Sequence, residues 1–262
     1  MREDGWAHWL PRRRTGLPGL ATIVGHRGAA GRAPENTLAG LRTAHQLGAT
    51  WVEFDVMLSR DGVPVLIHDE TLQRTTDGRG RVSRHSAAEL RRFDAGAWFA
   101  PDFAGQWIPT LEEAIAVLVE LGLHANVEIK PATGHEVETG EVVSHTLQRL
   151  WPNPGPRLLL SSFERESLAA AQRIAPAIPR GLLAGAPPSD WAAALRDLAC
   201  TTLHLDQGRV TSAALRMLSA EGVPVLLYTV NDTARARQLL EAGALALFTD
   251  LPDVLLAGLA AQ

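Results

Sequence analysis

The feature that most restricts this chain is its rhythm. From residue 22 onward, short apolar runs alternate with helical patterns: TIVGHRG, TWVEFDVML, HANVEIK, RLLLSSF, RGLLAG, TTLHLD, PVLLYTV and ALALFTD are each followed by an amphipathic stretch. Core strands flanked by such helices pair in parallel, because parallel neighbours need a helical crossover. Eight βα units in 262 residues favour an α/β fold of the closed (β/α)8 TIM-barrel type. The alternative is a doubly wound open sheet, but no GxGxxG follows the first strand, which removes the usual dinucleotide signature. Helix starts are signalled at Asn36-Thr37, Ser189-Asp190, Thr211 and Asn231-Asp232, and Gly48, Gly122, Gly222 and Gly243 mark helix ends.

The stretch from about 60 to 109 is too long for an ordinary βα loop and reads as a small insertion after the second strand. It falls on the face where the strands end, which carries the chemistry in barrels. Residues 1–21 read as an N-terminal strap or tail, and 22–262 as a single barrel domain. The tail has no apolar run long enough for a signal-peptide core, and RRR interrupts it. No segment reaches the length of a membrane span. A net charge of −4 without long runs of one sign gives no nucleic-acid footprint. One cysteine, Cys200, fits a reducing compartment, and the simplest location is cytoplasmic.

Polar residues recur where core strands should end. In TWVEFDVML, Glu53 and Asp55 share one face while Val52, Phe54 and Val56 share the other. The apolar set belongs under the helices, so the two acids point into the barrel mouth. Two carboxylates this close resist joint ionisation unless a cation lies between them or each pairs with an arginine. The third strand repeats the pattern, with Asn126, Glu128 and Lys130 on one face. Glu53, Asp55 and Glu128 form an all-oxygen donor set, suited to Mg²⁺ or Ca²⁺, with Mn²⁺ as a third choice. Lys130 is the only lysine in a chain with twenty-four arginines. In that mouth it is a compact charge able to meet a phosphoryl oxygen, unless it merely neutralises Glu128.

Asp61-Gly62 in SRDGVPVLIHDE reads as a two-residue hairpin turn. Pairs across such a turn sum to 123, which sets Asp55 opposite His68 with Cβ atoms about 5 Å apart. His26 ends the first strand, beside the second. Two imidazoles would then flank the acids, and histidine suits general acid and base work. The other histidines, His204 among them, lack such partners and read as structural.

GHRGAAGRAPENT, VEFDVMLSRDGVPVLIHDETLQRTTDGRG, NVEIKP, SSF, YTVN and TDLP, in that order, resemble the glycerophosphodiester phosphodiesterase family over about residues 22 to 258. The resemblance implies a (β/α)8 barrel with an insertion after the second strand. It implies Glu53, Asp55 and Glu128 as divalent-metal ligands, and His26 and His68 as the acid-base pair. It further implies Arg27 and Lys130 on the phosphate, Phe163 and Tyr228 lining the alcohol side, and Glu35 supporting the loop. A tryptophan is common in the family where this chain has Tyr228. The implied substrate is a small glycerophosphodiester such as glycerophosphocholine or glycerophosphoethanolamine. Hydrolysis would give sn-glycerol 3-phosphate and an alcohol, a step of lipid and glycerol metabolism. One histidine would protonate the leaving alcohol, and the other, or the metal, would prepare the nucleophile. The alternatives are a phospholipase-like phosphodiesterase ending in a cyclic phosphate and a non-catalytic barrel that binds phosphate ligands. A sugar or enolate barrel would want acids ending several successive strands, and RLLLSSF and RGLLAG end without any.

Overall fold

The computed structural model describes residues 19–153, 155 and 157–260. Its strands are β1 Ile23–Gly25, β2 Trp51–Leu58, β3 Pro64–Leu66, β4 His124–Ile129, β5 Leu158–Ser162, β6 Arg180–Ala184, β7 Thr202–Asp206, β8 Val225–Tyr228 and β9 Ala246–Thr249. Every pairing except β2–β3 is parallel, and β1 pairs with both β2 and β9. Eight strands thus close on themselves into a TIM barrel, and β3 hangs from β2 as an antiparallel return. The helices are α1 Leu38–Gln46, α2 Ala87–Leu90, α3 Leu111–Leu121, α4 Glu136–Leu150, α5 Arg165–Ile174, α6 Trp191–Asp197, α7 Ser212–Ala220, α8 Thr233–Glu241 and α9 Pro252–Ala260.

The strand alternation sorts the core as the sequence pattern requires. Val52, Phe54 and Val56 face outward and pack with Leu41 of α1 and Leu111, Ile115 and Leu118 of α3. Inside the barrel, Val24, Trp51, Leu159, Leu226, Ala246 and Phe248 form a separate apolar plug. Polar inward residues lie farther along the same strands, so the plug is the base on which the site stands. Of the expected strap, residues 1–18 lie outside the described residues. Residues 20 and 21 pack against the plug, and the Gly19 carbonyl accepts a 2.9 Å hydrogen bond from Trp51 Nε1.

The segment between β2 and α3 has its own small core of Met57, Val65, Ile67, Leu72, Val82, Leu90, Ala95 and Ile108. Its hairpin differs from the sequence expectation. The pairs are Val56 with Leu66 and Met57 with Val65, one position away from the expected register. The turn holds three residues, because Ser59 accepts from Gly62 and donates to Val63, while Gly62 takes φ +75°. A type I turn completed by a left-handed glycine inserts that extra residue. Ile67, not His68, therefore stands opposite Asp55. The expected caps hold at Thr37, Thr211 and Asp232, whose side chains accept from their helices. Asp190 differs: it begins α6, but its carboxylate binds Arg165 at 2.7 and 2.9 Å instead of capping.

Two glycines separate strain from crowding. A Cβ at Gly62 would meet nothing within 4 Å, whereas one at Gly28 (φ +86°) would lie 2.6 Å from the Gly40 backbone. Gly62→Ala should cost about 1–2 kcal/mol from the left-handed backbone alone. Gly28→Ala should lose about 1–3 kcal/mol more through overpacking. Denaturant midpoints for the two variants check this, and equal losses would contradict the close α1 contact.

Candidate active site

The site is assembled at the carboxyl ends of the strands. Asp55 pairs in register with Glu128, and Glu53 with Asn126, so the three acids form a triangle across β2 and β4. Ligand oxygens from all three lie within 4.8 Å of one another. The residues are only 3%, 1% and 9% exposed for Glu53, Asp55 and Glu128. Such crowding away from water raises the cost of charge. Burial and the neighbouring acids push Glu53 well up, and Glu128 to about 8. Burial also penalises Asp55, but Lys130, Arg27, His68 and an Asn36 hydrogen bond outweigh it, and Asp55 falls to about 2. One acid is thus held ionised while two resist it. Glu53 Oε1 is buried without a hydrogen-bond partner. Hard oxygen donors and an unmatched acceptor fit a divalent cation among the three.

The HRG and PENT motifs explain how Asp55 is held. After β1 the backbone turns through Arg27 at φ +48°, whose N–H donates to Glu53 Oε2 at 2.9 Å. The Arg27 guanidinium lies 3.4 Å from Asp55 and donates to Glu35 at 2.8 Å. Asn36 grips Asp55 twice, donating to its carboxylate at 2.8 Å and accepting its backbone N–H at 3.0 Å. Thr37 then caps α1, so each of the last three PENT residues has a separate task. Lys130 Nζ lies 3.6 Å from Asp55 and 3.9 Å from Glu128. The sole lysine therefore does face the acid cluster.

Both imidazoles are backed by a carboxylate. His26 Nδ1 lies 2.7 Å from Asp250 Oδ1, and its Nε2 is 4.0 Å from Glu53. Asp250 accepts in turn from Asn231 at 2.7 Å. His68 Nδ1 lies 2.6 Å from Asp69 Oδ1. Arg74 clamps Asp69 from Nε at 2.6 Å and also donates to Glu35 at 2.7 and 2.8 Å. An ionised carboxylate only accepts, so each ring carries its proton on Nδ1 and turns Nε2 away from its acid. Hydrogen bonds from Arg74 and His68 hold Asp69 far below the usual carboxylate range, outweighing burial. Burial lowers His68 and outweighs the pull of Asp55. His68 enters the site although its register differs from the expected one, because β3 ends at Leu66 and the chain bends.

Every expected site residue except Asp55 lines one inner cavity of about 150 Å³. Asp55 sits behind it, covered by Arg27, Lys130 and Asn36. A larger outer cavity of about 420 Å³ shares His68, Glu128, Lys130 and Phe163 with it and adds Met57, Glu70 and Glu164. Phe163 is 44% exposed at this rim, edge-on to Tyr228 with centroids 6.0 Å apart. The Tyr228 hydroxyl is occupied, donating to the Ala184 carbonyl at 3.0 Å. Sequence reasoning missed Asn36, Asp69, Arg74, Asn231 and Asp250, all inside quoted motifs. His204, read as structural, is fully buried against Thr202 at 2.9 Å in the wall of the inner cavity.

A parallel barrel with an acid triangle, two cationic side chains and two acid-backed imidazoles at its mouth has the layout of an enzyme for anionic substrates. The profile described as "Glycerophosphoryl diester phosphodiesterase family" matches residues 26–254, and the chain belongs to that family. It is 33% identical over 255 residues to a glycerophosphodiester phosphodiesterase of Bacillus subtilis, covering 90% of this chain and 86% of the relative. A second such enzyme, from Caldanaerobacter subterraneus, is 32% identical, with 89% and 96% covered. Among solved structures, an Oleispira antarctica phosphodiesterase in complex with the product sn-glycerol-3-phosphate superposes with TM-score 0.90 at 41% identity, covering 92% of this chain and 98% of that one. A glycerophosphodiester phosphodiesterase from Agrobacterium tumefaciens gives TM-score 0.73 at 29% identity, with 91% and 100% covered. The chain is a phosphoric diester hydrolase.

The raised acids set a stability test. Glu128 moves from 4.5 to about 8, so between those pH values the folded chain keeps a proton that the unfolded chain has released. Stability of the cation-free protein should therefore fall as pH rises through that window. Melting temperatures after chelation should drop from pH 5 to pH 8, with a smaller drop in Glu128→Gln. A flat profile in the parent protein would contradict the crowding of the acids.

Proposed function

We propose that this chain hydrolyses small glycerophosphodiesters, such as glycerophosphocholine or glycerophosphoethanolamine, to sn-glycerol 3-phosphate and an alcohol, using a divalent cation and the His26–His68 pair. The observation that carries the reading is the convergence of two acid-backed imidazoles, Arg27 and Lys130 on one cavity beside three buried carboxylates. Glu53, Asp55 and Glu128 would hold Mg²⁺ or Ca²⁺, or Mn²⁺ in their place. When bound, the cation supplies positive charge to the phosphoryl oxygens as negative charge grows on them.

The chain's own groups account for the rest. Arg27 and Lys130 meet the non-bridging oxygens, where a phosphodiester gains charge on attack. An aliphatic alkoxide leaves poorly, so one histidine acts as an imidazolium, protonated on Nε2 as well as Nδ1, and gives the Nε2 proton to the departing oxygen. The other, neutral, takes a proton from water on its bare Nε2. Asp69 and Asp250 keep the rings in one tautomer and orientation, so little reorganisation accompanies each transfer. Arg74 positions His68 through Asp69 and joins it to the Arg27 side through Glu35. Phe163 and Tyr228 line the side toward the outer cavity, which has room for the leaving alcohol. A cytoplasmic location belongs to the same reading, supported by a buried, unbridged Cys200.

His26→Ala and His68→Ala should each lose about 10²–10⁴ in turnover of glycerophosphocholine while keeping the parent circular dichroism. Chelation should abolish parent activity, and added Mg²⁺ or Ca²⁺ should restore it. A variant working at the parent rate would remove that histidine's role, and turnover unaffected by chelator would remove the metal's.

A further inference from the structure

The SSF motif ends β5 and turns the chain along the wall of the outer cavity. Ser162 is fully buried, donating to the Ile129 carbonyl at 2.6 Å and accepting the Glu164 N–H at 3.1 Å. Those two bonds hold the backbone on either side of Phe163, so Phe163 and Glu164 stand on that wall in fixed places. The charges around them are unequal. Four carboxylates line the outer cavity, from Asp69, Glu70, Glu128 and Glu164, against Lys130 and the His68 ring. Three of the four are committed: Arg74 clamps Asp69, Glu70 accepts from Arg81 and Thr133, and Glu128 stands beside Lys130. Glu164 begins α5 yet makes no cap bond, and among the described residues no ion pair neutralises it. Lys130 is drawn inward by Asp55 and Glu128. The uncommitted charge on this wall is therefore negative.

The neighbour of that charge is an aromatic ring. Phe163 meets Tyr228 at an interplanar angle of 81°, which leaves at least one face of its ring clear of the tyrosine. Met57, Ile129 and Pro131 extend the apolar lining. An accessible aromatic face attracts an ammonium through the ring quadrupole, and an unpaired carboxylate beside it adds direct charge attraction. Apolar side chains also suit the methyl groups of a quaternary ammonium, which form no strong hydrogen bond. The same wall offers a neutral polyol few hydrogen-bond partners and repels a second anion.

We propose that Phe163 and Glu164 select a cationic leaving alcohol, so that esters of amino alcohols and quaternary ammonium alcohols turn over faster than esters of polyols such as glycerol or inositol. This rests on the hydrolase reading above and assigns specificity-determining residues to it. Ser162 acts through the backbone, as the residue that positions both.

The test compares glycerophosphocholine with its 3,3-dimethylbutyl counterpart, in which a carbon atom replaces the ammonium nitrogen and the shape is kept. The parent should favour the choline ester by about tenfold in kcat/KM, the combined effect of a ring face and a carboxylate in a partly exposed site. Phe163→Leu and Glu164→Gln should each cut that ratio by about threefold. Both positions are exposed, so the variants should keep the parent circular dichroism. Equal parent values of kcat/KM for the two esters would overturn the selection whatever the variants do. A parent preference left intact in both folded variants would also overturn it, by showing that the ammonium is read elsewhere. No hydrolysis of either ester would bring down the hydrolase reading and this proposal with it, an outcome distinct from equal rates.

Discussion

Three carboxylates share one dry corner of this molecule, and most of the surrounding structure answers that repulsion. The register of β2 against β4 fixes Glu53, Asp55 and Glu128 together, and the helices behind the strands prevent them from turning outward. Arg27 and Lys130 both lean on Asp55 and hold it ionised, whereas Glu53 and Glu128 are left to resist charge. A divalent cation at the triangle would lower the cost of ionising those two. The same crowding accounts for a compact ammonium here in a chain otherwise written with guanidinium groups. Arg27 is committed sideways to Glu35, whereas Lys130 remains a point charge between two acids.

The two imidazoles are organised by different parts of the fold. His26 leans on Asp250 and Asn231, from the last two βα connections, and His68 on Asp69 and Arg74 of the insertion. Glu35 joins the halves by accepting from both Arg27 and Arg74. The insertion is thus a working part of the mouth, with its own apolar core for rigidity.

Much of this was legible in the sequence, for a physical reason. Strand alternation is strict, so Glu53, Asp55, Glu128 and Lys130 could be set on one face without knowing the fold around them. The hairpin was not legible to the same degree, since Gly62 in a left-handed conformation added a residue to the turn and moved the register. Asp250 and Arg74 act on residues far away in sequence or through a second carboxylate, and local pattern carries no trace of that. The place of His204 beside the cavity was not legible, because its partner Thr202 lies on its own strand and its neighbours across the cavity follow from closure of the barrel.

Anomalous diffraction from crystals soaked in Mn²⁺ tests the central claim most directly. The account predicts one strong peak within bonding distance of Glu53, Asp55 and Glu128 together. A peak elsewhere, or none at this triangle, would contradict it.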